Sequence, residues 1–449
     1  MPQGEGSQRL SREWLRYARL GPGMRHNEAV PDAEFANPQP TDEPPVRYRE
    51  LFSNREFASL WLADVFSGIG SQIGRLAIAA LVFDRTGSAG LTAAAFAITY
   101  LPHLLGGAVL ASLADRWPRR ETLIGADVVR AALTLAILLP GMPLLLALAL
   151  VFLVELVSIP FGAARLATLA DVLDRHRFAA GNSLVTATQQ ILLVAGFASG
   201  GVLVALIGAR ASLAVDALSY VVSAGVLVLG VRRRPSPLLG HGRRRGLWHD
   251  TLEGLRIVRT TSDILRNIVL LLLGPSVLNV TIALAVPYAA YLGGGTVLAG
   301  IMMAAPPLGS SLGLLWVGRL PEPRRLALAA PSVVGLGLAV AATGLVSHAP
   351  VVTILLFVAG LTLGYLTTVQ AAIAAATPVH ARGRVFGLAN TGMQLGQGVA
   401  VGAAAVLTTF VDLRTTLILA VLTGAGLAAG TALLRRRRLP TAVGDSPAA

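Results

Sequence analysis

The chain has 449 residues, 54% hydrophobic and 14% charged, with 37 basic residues against 24 acidic ones and a net charge of +13. Every one of those basic residues is arginine, and lysine and cysteine are both absent. That excludes a Walker A loop, which needs its lysine on the phosphates, a lysine Schiff base, and disulfide, Fe–S or thiolate chemistry.

Residues 1–50 are polar and rich in Pro and Glu, with a small basic patch of Arg12, Trp14, Arg16, Tyr17 and Arg19 and without the apolar core of a signal peptide. They are expected to form a disordered cytoplasmic tail, and a start at Met24 also fits. Long apolar stretches follow. An apolar run of about 20 residues crosses the hydrocarbon core as a helix. Such runs are predicted at 57–82, 89–113, 121–141, 143–168, 178–207, 211–231, 265–292, 295–318, 325–346, 349–376, 384–410 and 413–434. This gives an all-α membrane protein of twelve transmembrane helices in two six-helix halves, 51–231 and 262–434. A basic cytoplasmic linker over 232–261 joins them, and a cytoplasmic tail over 435–449 ends the chain.

Arginine placement orients the layout, because positive charge collects in short loops on the cytoplasmic side. Arg85, Arg210 and Arg414 lie in loops of one side and Arg75 and Arg130 within spans, while all other arginines lie in the tails or in loops of the opposite side. Both termini are therefore expected in the cytoplasm, in a multi-pass protein of the cell membrane. The runs Arg232–Arg234, Arg243–Arg245 and Arg435–Arg438 flank spans on the side that topology demands, so they are read as anchors at the lipid surface rather than a nucleic-acid interface.

The loop between the second and third spans reads Ala111-Ser-Leu-Ala-Asp115-Arg116-Trp-Pro-Arg119-Arg120, and Gly318-Arg319-Leu-Pro-Glu-Pro-Arg324-Arg325 occupies the matching place in the second half. The first resembles the signature of the major facilitator superfamily, Gly-x-Leu-Ala-Asp-Arg-x-Gly-Arg-Arg, and the second a decayed repeat of it. Asn54-Arg-Glu-Phe-Ala-Ser-Leu-Trp61, Phe83-Asp-Arg-Thr-Gly-Ser88, Phe161-Gly-Ala-Ala-Arg165 and Gly383-Arg-Val-Phe-Gly-Leu-Ala-Asn390 are similar to the drug/proton antiporter branch that includes macrolide exporters and the enterobactin exporter. The resemblance implies the major facilitator fold, with a substrate site between the two halves at mid-membrane. It also implies that Asp115, with Arg116, Arg119 and Arg120, forms a conformational latch. Asp115 would face the N-terminus of the eleventh span near Gly383 and Arg384, where unpaired N–H groups and the helix dipole favour an anion.

Ionisable groups inside spans are costly and functional by default. Here they are Asp64, Arg75, Asp127, Arg130, Glu155 and Asp216, all in the first half. Asp127 and Arg130 share a helical face and are expected to form an intramembrane ion pair. Asp64 and Glu155 have no such neighbour in sequence, and the resemblance places their spans along the central cavity. A carboxylate in a poorly hydrated cavity has its charged form disfavoured, which lets it take up and release a proton. Glu155 and then Asp64 are the proton-coupling candidates, against pairing with Arg75 or facing headgroups. Asn279, Tyr365 and Gln370 are the substrate-cavity candidates of the second half. No metal site, cofactor or enzymatic constellation is expected.

The fifth span reads Gly196-Phe-Ala-Ser-Gly200-Gly201, without the proline that exporters of the superfamily often carry there. Three readings fit: a proton-coupled exporter of small, largely apolar compounds acting as a monomer; an importer or facilitator of the same fold; and a non-transporting membrane sensor. The layout makes a direct prediction. A reporter fused after Arg234 or Arg438 should report cytoplasm and one inserted near Gly87 or His348 the exterior, and an exterior signal after Arg438 would overturn the twelve-span arrangement.

Overall fold

The computed structural model describes residues 47–103, 117–234, 255–256, 258–378, 381–420 and 422, and among these there is helix but no strand. In the first half, α1 (Tyr48–Phe52) leads into α2 (Arg55–Thr86), followed by α3 (Ala89–Ile98), α4 (Arg119–Ile137), α5 (Leu144–Val172) and α6 (Arg175–Gly230). The second half contains α7 (Ser262–Ala283), α8 (Ala285–Tyr291), α9 (Thr296–Gly318), α10 (Glu322–Leu345), α11 (Ala349–Thr362), α12 (Tyr365–Ala376) and α13 (Arg382–Leu407). Six helices among the described residues are long and apolar enough to cross a membrane. Leu145, Ile191, Leu206, Leu229 and Leu338 are large apolar side chains left exposed, as a lipid-facing surface requires.

Two motifs picked out in the sequence are helix ends. Asn54 caps α2, its Oδ1 accepting from the backbone N–H of Glu56 at 3.0 Å and Phe57 at 3.4 Å, while its Nδ2 donates to the Val172 carbonyl at 3.1 Å. One side chain thus satisfies orphan donors and ties the start of α2 to the end of α5. At the other end of α2, Gly87 takes the left-handed conformation (φ 62°) and Ser88 caps α3 by accepting from Leu91 N–H at 3.2 Å. A residue with a Cβ is strained at that φ.

The fifth and sixth spans differ from the expected pair of helices with a short loop. They form one helical run interrupted at a single residue, Gly208, at φ 82° and ψ 163°. The chain nevertheless reverses there: before Gly208, Gly181 lies beside Phe57 and Gly200 beside Ile73, and after it Asp216 lies beside Gly74 and Ser59 beside Gly230. Both limbs therefore run along α2 in opposite directions, and Arg210, read as a loop residue, belongs to the second limb. The seventh span is divided at Leu284 into α7 and α8, and the tenth at Leu363–Gly364 into α11 and α12. The fourth extends past its expected end at 168 to Val172, with Arg165 within the helix.

The halves approach each other near the turns at Gly87, Gly208 and Gly293. A Cβ added at Gly201 on α6 would come within 2.6 Å of the Thr296 carbonyl oxygen, and one at Gly300 on α9 within 2.5 Å of the Phe197 carbonyl oxygen and 2.8 Å of the Gly201 Cα. Thr296 Oγ1 donates to the Gly201 carbonyl at 3.2 Å. On the other flank, a Cβ at Gly90 on α3 would stand 2.8 Å from the Ala405 carbonyl oxygen of α13. Small residues allow this approach where lipid supplies no hydrophobic drive between helices. Gly300→Ala should lower the unfolding temperature of the purified protein, by overpacking worth about 1–3 kcal/mol, and Gly300→Val should lower it further. Gly402→Ala, where a Cβ meets open space, is the control, and equal melting of all three variants would contradict the contact.

Candidate functional site

The first half encloses a polar network that no contiguous stretch of sequence contains. On α2, Arg75 donates from Nε at 3.2 Å and Nη2 at 3.1 Å to Glu155 Oε1 on α5. Toward the start of α2, Asp64 pairs with Arg165 of α5. Gln189 from α6 abuts this pair and, in the amide orientation that satisfies both ends, accepts from Arg165. Asp127 and Arg130 are joined within α4, and Ser223 Oγ donates to Asp127 Oδ2 at 2.5 Å. The Arg130 guanidinium lies 4.5 Å from the ring centroid of Phe161 and 4.3 Å from that of Tyr220, so the π faces and the carboxylate together replace its water.

These groups line a cavity of about 220 Å³ whose wall includes Asp64, Arg75, Arg130, Glu155, Arg165 and Gln189, every lining residue coming from the first half. A narrower space of about 40 Å³ is shared by Arg75, Glu155, Tyr220, Ser71 and Asp216. The two spaces have Ser71, Arg75, Val154, Glu155 and Tyr220 in common, so the Arg75–Glu155 pair stands at their junction. Tyr220 and Ser71 hydroxyls are 3.0 Å apart across it.

The second-half candidates occupy three different settings. Asn279 on α7 accepts from Tyr100 Oη at 2.7 Å and donates to Gln397 Oε1 at 2.9 Å and to the Pro275 carbonyl at 2.9 Å. Tyr100 follows α3, so this chain of bonds crosses from the first half to α7 and α13. Tyr365 is fully buried and donates to the Leu270 carbonyl at 2.7 Å, fastening α12 to α7. Gln370 is exposed on α12. Asp115 and Arg116 lie outside the described residues. Arg119 pairs with Asp171 and donates to the Ala167 carbonyl at 3.0 Å, and Arg120 Nη2 donates to the Val228 carbonyl at 2.7 Å. Both hold α4 to α5 and α6 at the arginine-rich end, where Arg234 also meets Glu56 at 2.5 Å.

Three participants were not singled out in the sequence. Arg165 counts among the arginines of the cytoplasmic side although it stands near the end of the 143–168 run, and Leu166, Leu169 and Val172 continue the apolar helix past it. Tyr100 and Gln397 lie in apolar spans where nothing marks their polar ends. Asp216 reads in the sequence as an in-span acid with no partner nearby.

A bundle of apolar helices with buried ion pairs beside a polar cavity inside one half is the architecture of a membrane transporter. The chain matches the family model described as the Major Facilitator Superfamily over residues 60–366 and 280–449, and it belongs to that family. It is 26% identical over 188 residues to the MFS-type transporter YkuC of Bacillus subtilis, covering 41% of this chain and 43% of that protein. It is 34% identical over 77 residues to macrolide efflux protein A of Streptococcus pyogenes, covering 17% of this chain and 19% of that protein. The chain thus spans under half the length of these curated relatives. Among solved structures it resembles the nucleoside transporter NupG, with TM-score 0.68 at 11% identity over 85% of this chain and 99% of that one. A bacterial homologue of the lysosomal transporter Spinster gives 0.67 at 14% identity over 88% and 98%. These likenesses establish the fold: an all-α membrane protein with major facilitator architecture, a transporter rather than an enzyme.

Removing Asp127 should strand Arg130 in the bundle. Asp127→Ala is expected to cost about 3–5 kcal/mol, the usual penalty for breaking a buried pair at one end, read as a lower unfolding temperature in detergent. The double variant Asp127→Ala/Arg130→Leu should recover much of that loss. A single variant as stable as the parent would show that the pair does not support the bundle.

Proposed function

We propose that this protein is a proton-coupled exporter of small, largely apolar compounds, working by alternating access in the cell membrane with both termini in the cytoplasm. The observation that carries the reading is the Arg75–Glu155 pair at the cavity wall. Within the second half, the stretches 267–318 and 326–379 contain no Asp, Glu or Arg, so a cavity between the halves would meet an apolar second wall and a charged first one. Such a wall favours an apolar body, with any polar or cationic group directed at the first half. The similarity of one segment to macrolide efflux protein A supports the same class of cargo.

Glu155 is the proposed coupling carboxylate. Protonating it removes the negative partner of Arg75, and ionising it restores the pair, so occupancy by a proton and occupancy by a polar substrate group compete for the same arginine and carboxylate. Asp64, paired with Arg165, is the second candidate. The proposed substrate contact from the other half is Asn279, while Asp115, Arg116, Arg119 and Arg120 are proposed to latch the cytoplasmic side when the site faces outward. The unit is proposed to be the monomer, with the first bundle over 51–231 and the second over 262–434. Import by the same fold is the second reading, favoured by the fifth span Gly196–Gly201, which lacks the proline that exporters of the superfamily often carry there.

The deciding experiment measures accumulation of erythromycin and of ethidium in cells lacking and overproducing the protein, with and without a proton-collapsing ionophore. Overproduction should lower accumulation several-fold, and the ionophore or Glu155→Gln should abolish the difference. Export that persists after the proton gradient is collapsed would refute proton coupling, and raised accumulation without ionophore would favour import.

A further inference from the structure

Among the described residues, four carboxylates lie inside the first bundle, and three have cationic partners: Asp64 with Arg165, Asp127 with Arg130, and Glu155 with Arg75. Asp216 on the second limb of α6 is different. It is 5% exposed, forms no ion pair among the described residues, and its Oδ1 has no hydrogen-bond donor among them. A charged carboxylate left unpaired in a low-dielectric interior is strongly disfavoured, whereas its protonated form is merely polar.

The surroundings are built to admit the carboxyl rather than to pair it. Gly70 and Gly74 of α2 face it, and a Cβ at Gly74 would fall 2.3 Å from Asp216 Oδ2. The charged and titratable groups acting on it are Arg130 from α4, Arg75 from α2, Glu155 from α5 and Tyr220 one turn along its own helix. It lines the narrow space that also holds Arg75 and Glu155, a space with room for one or two water molecules.

We propose that Asp216 is a second proton-binding site, holding a proton as the neutral acid while Glu155 is paired with Arg75, and passing it through this space to Glu155. The transfer moves one proton: the Asp216 O–H bond breaks, an O–H bond forms on Glu155, and the negative charge passes from Glu155 to Asp216. Arg75 faces the same space and stays within reach of the displaced charge. This rests on the proton-coupled reading above, yet the protonation of Asp216 can be read without any transport.

The test is the infrared carbonyl stretch of protonated carboxylic acids in the purified protein at pH 7, for the parent, Asp216→Asn and Asp216→Glu. The parent should show a band that is lost in Asp216→Asn and displaced in Asp216→Glu. Identical bands in all three would mean that Asp216 is ionised, overturning the inference. In proteoliposomes, Asp216→Asn should exchange ethidium at the parent rate but lose accumulation driven by an imposed pH gradient. Gradient-driven accumulation retained in Asp216→Asn overturns the inference, and a parent that ignores the gradient refutes the proton-coupled reading while the infrared result still decides the state of Asp216.

Discussion

Unhydrated charge in the bilayer is the constraint on which the first bundle depends. A lone carboxylate or guanidinium in a span is costly, and here the expense is offset by pairing across helices. Asp64–Arg165 and Arg75–Glu155 both join α2 to α5. The two pins stand roughly 16 Å apart along α2 by helical rise, and their crossed order fixes the helices as antiparallel and in register. Asp127 and Arg130 make a third device, with Ser223, Phe161 and Tyr220 drawn around it from α5 and α6. Electrostatics thus performs in this half the registering that apolar packing cannot perform in lipid.

The second half solves the same problem by avoiding charge. Its helices come together through glycine: a Cβ at Gly309 would fall 2.1 Å from the Phe357 carbonyl oxygen, and one at Gly360 2.1 Å from that of Pro306. Polar atoms that remain are bonded across helices, as Tyr365 is to the Leu270 carbonyl. One bundle is therefore electrostatically addressable and the other is an apolar counterpart, and a change in protonation acts directly on the first alone.

Much of this was legible in the sequence, because apolar run length and arginine sidedness are local properties. The spans, the family and the Asp127–Arg130 spacing all follow from residues within a few positions of one another. The cross-helix pairs do not. Asp64 and Arg165 are 101 positions apart, and Arg165 reads as a cytoplasmic-side anchor because Asp171 and Asp174 follow it closely. Gly208 hides a chain reversal in one residue, so Arg210 looks like a loop arginine while it is helical. Tyr365 is an apolar ring with one polar atom, and only the neighbouring backbone decides whether that atom faces a cavity or a carbonyl.

In the proposed cycle, a proton in one bundle acts on the other through what joins them. A change confined to the first half moves nothing unless it alters a contact that crosses between halves. Tyr100 makes such a contact, donating to Asn279, which in turn bonds Gln397. It also lies within electrostatic reach of both Arg75 and Glu155. Near the same end, Gly201 and Gly300 form a tight seam with no charge in it. In the proposed cycle the seam gives the closed end its steric fit, which charge cannot alter. The Tyr100–Asn279 bond beside the ion pair is the component that protonation can weaken or strengthen. Under the proposed coupling, separating fit from switch in this way lets a single proton bias the conformation without dismantling the packing that holds the halves together.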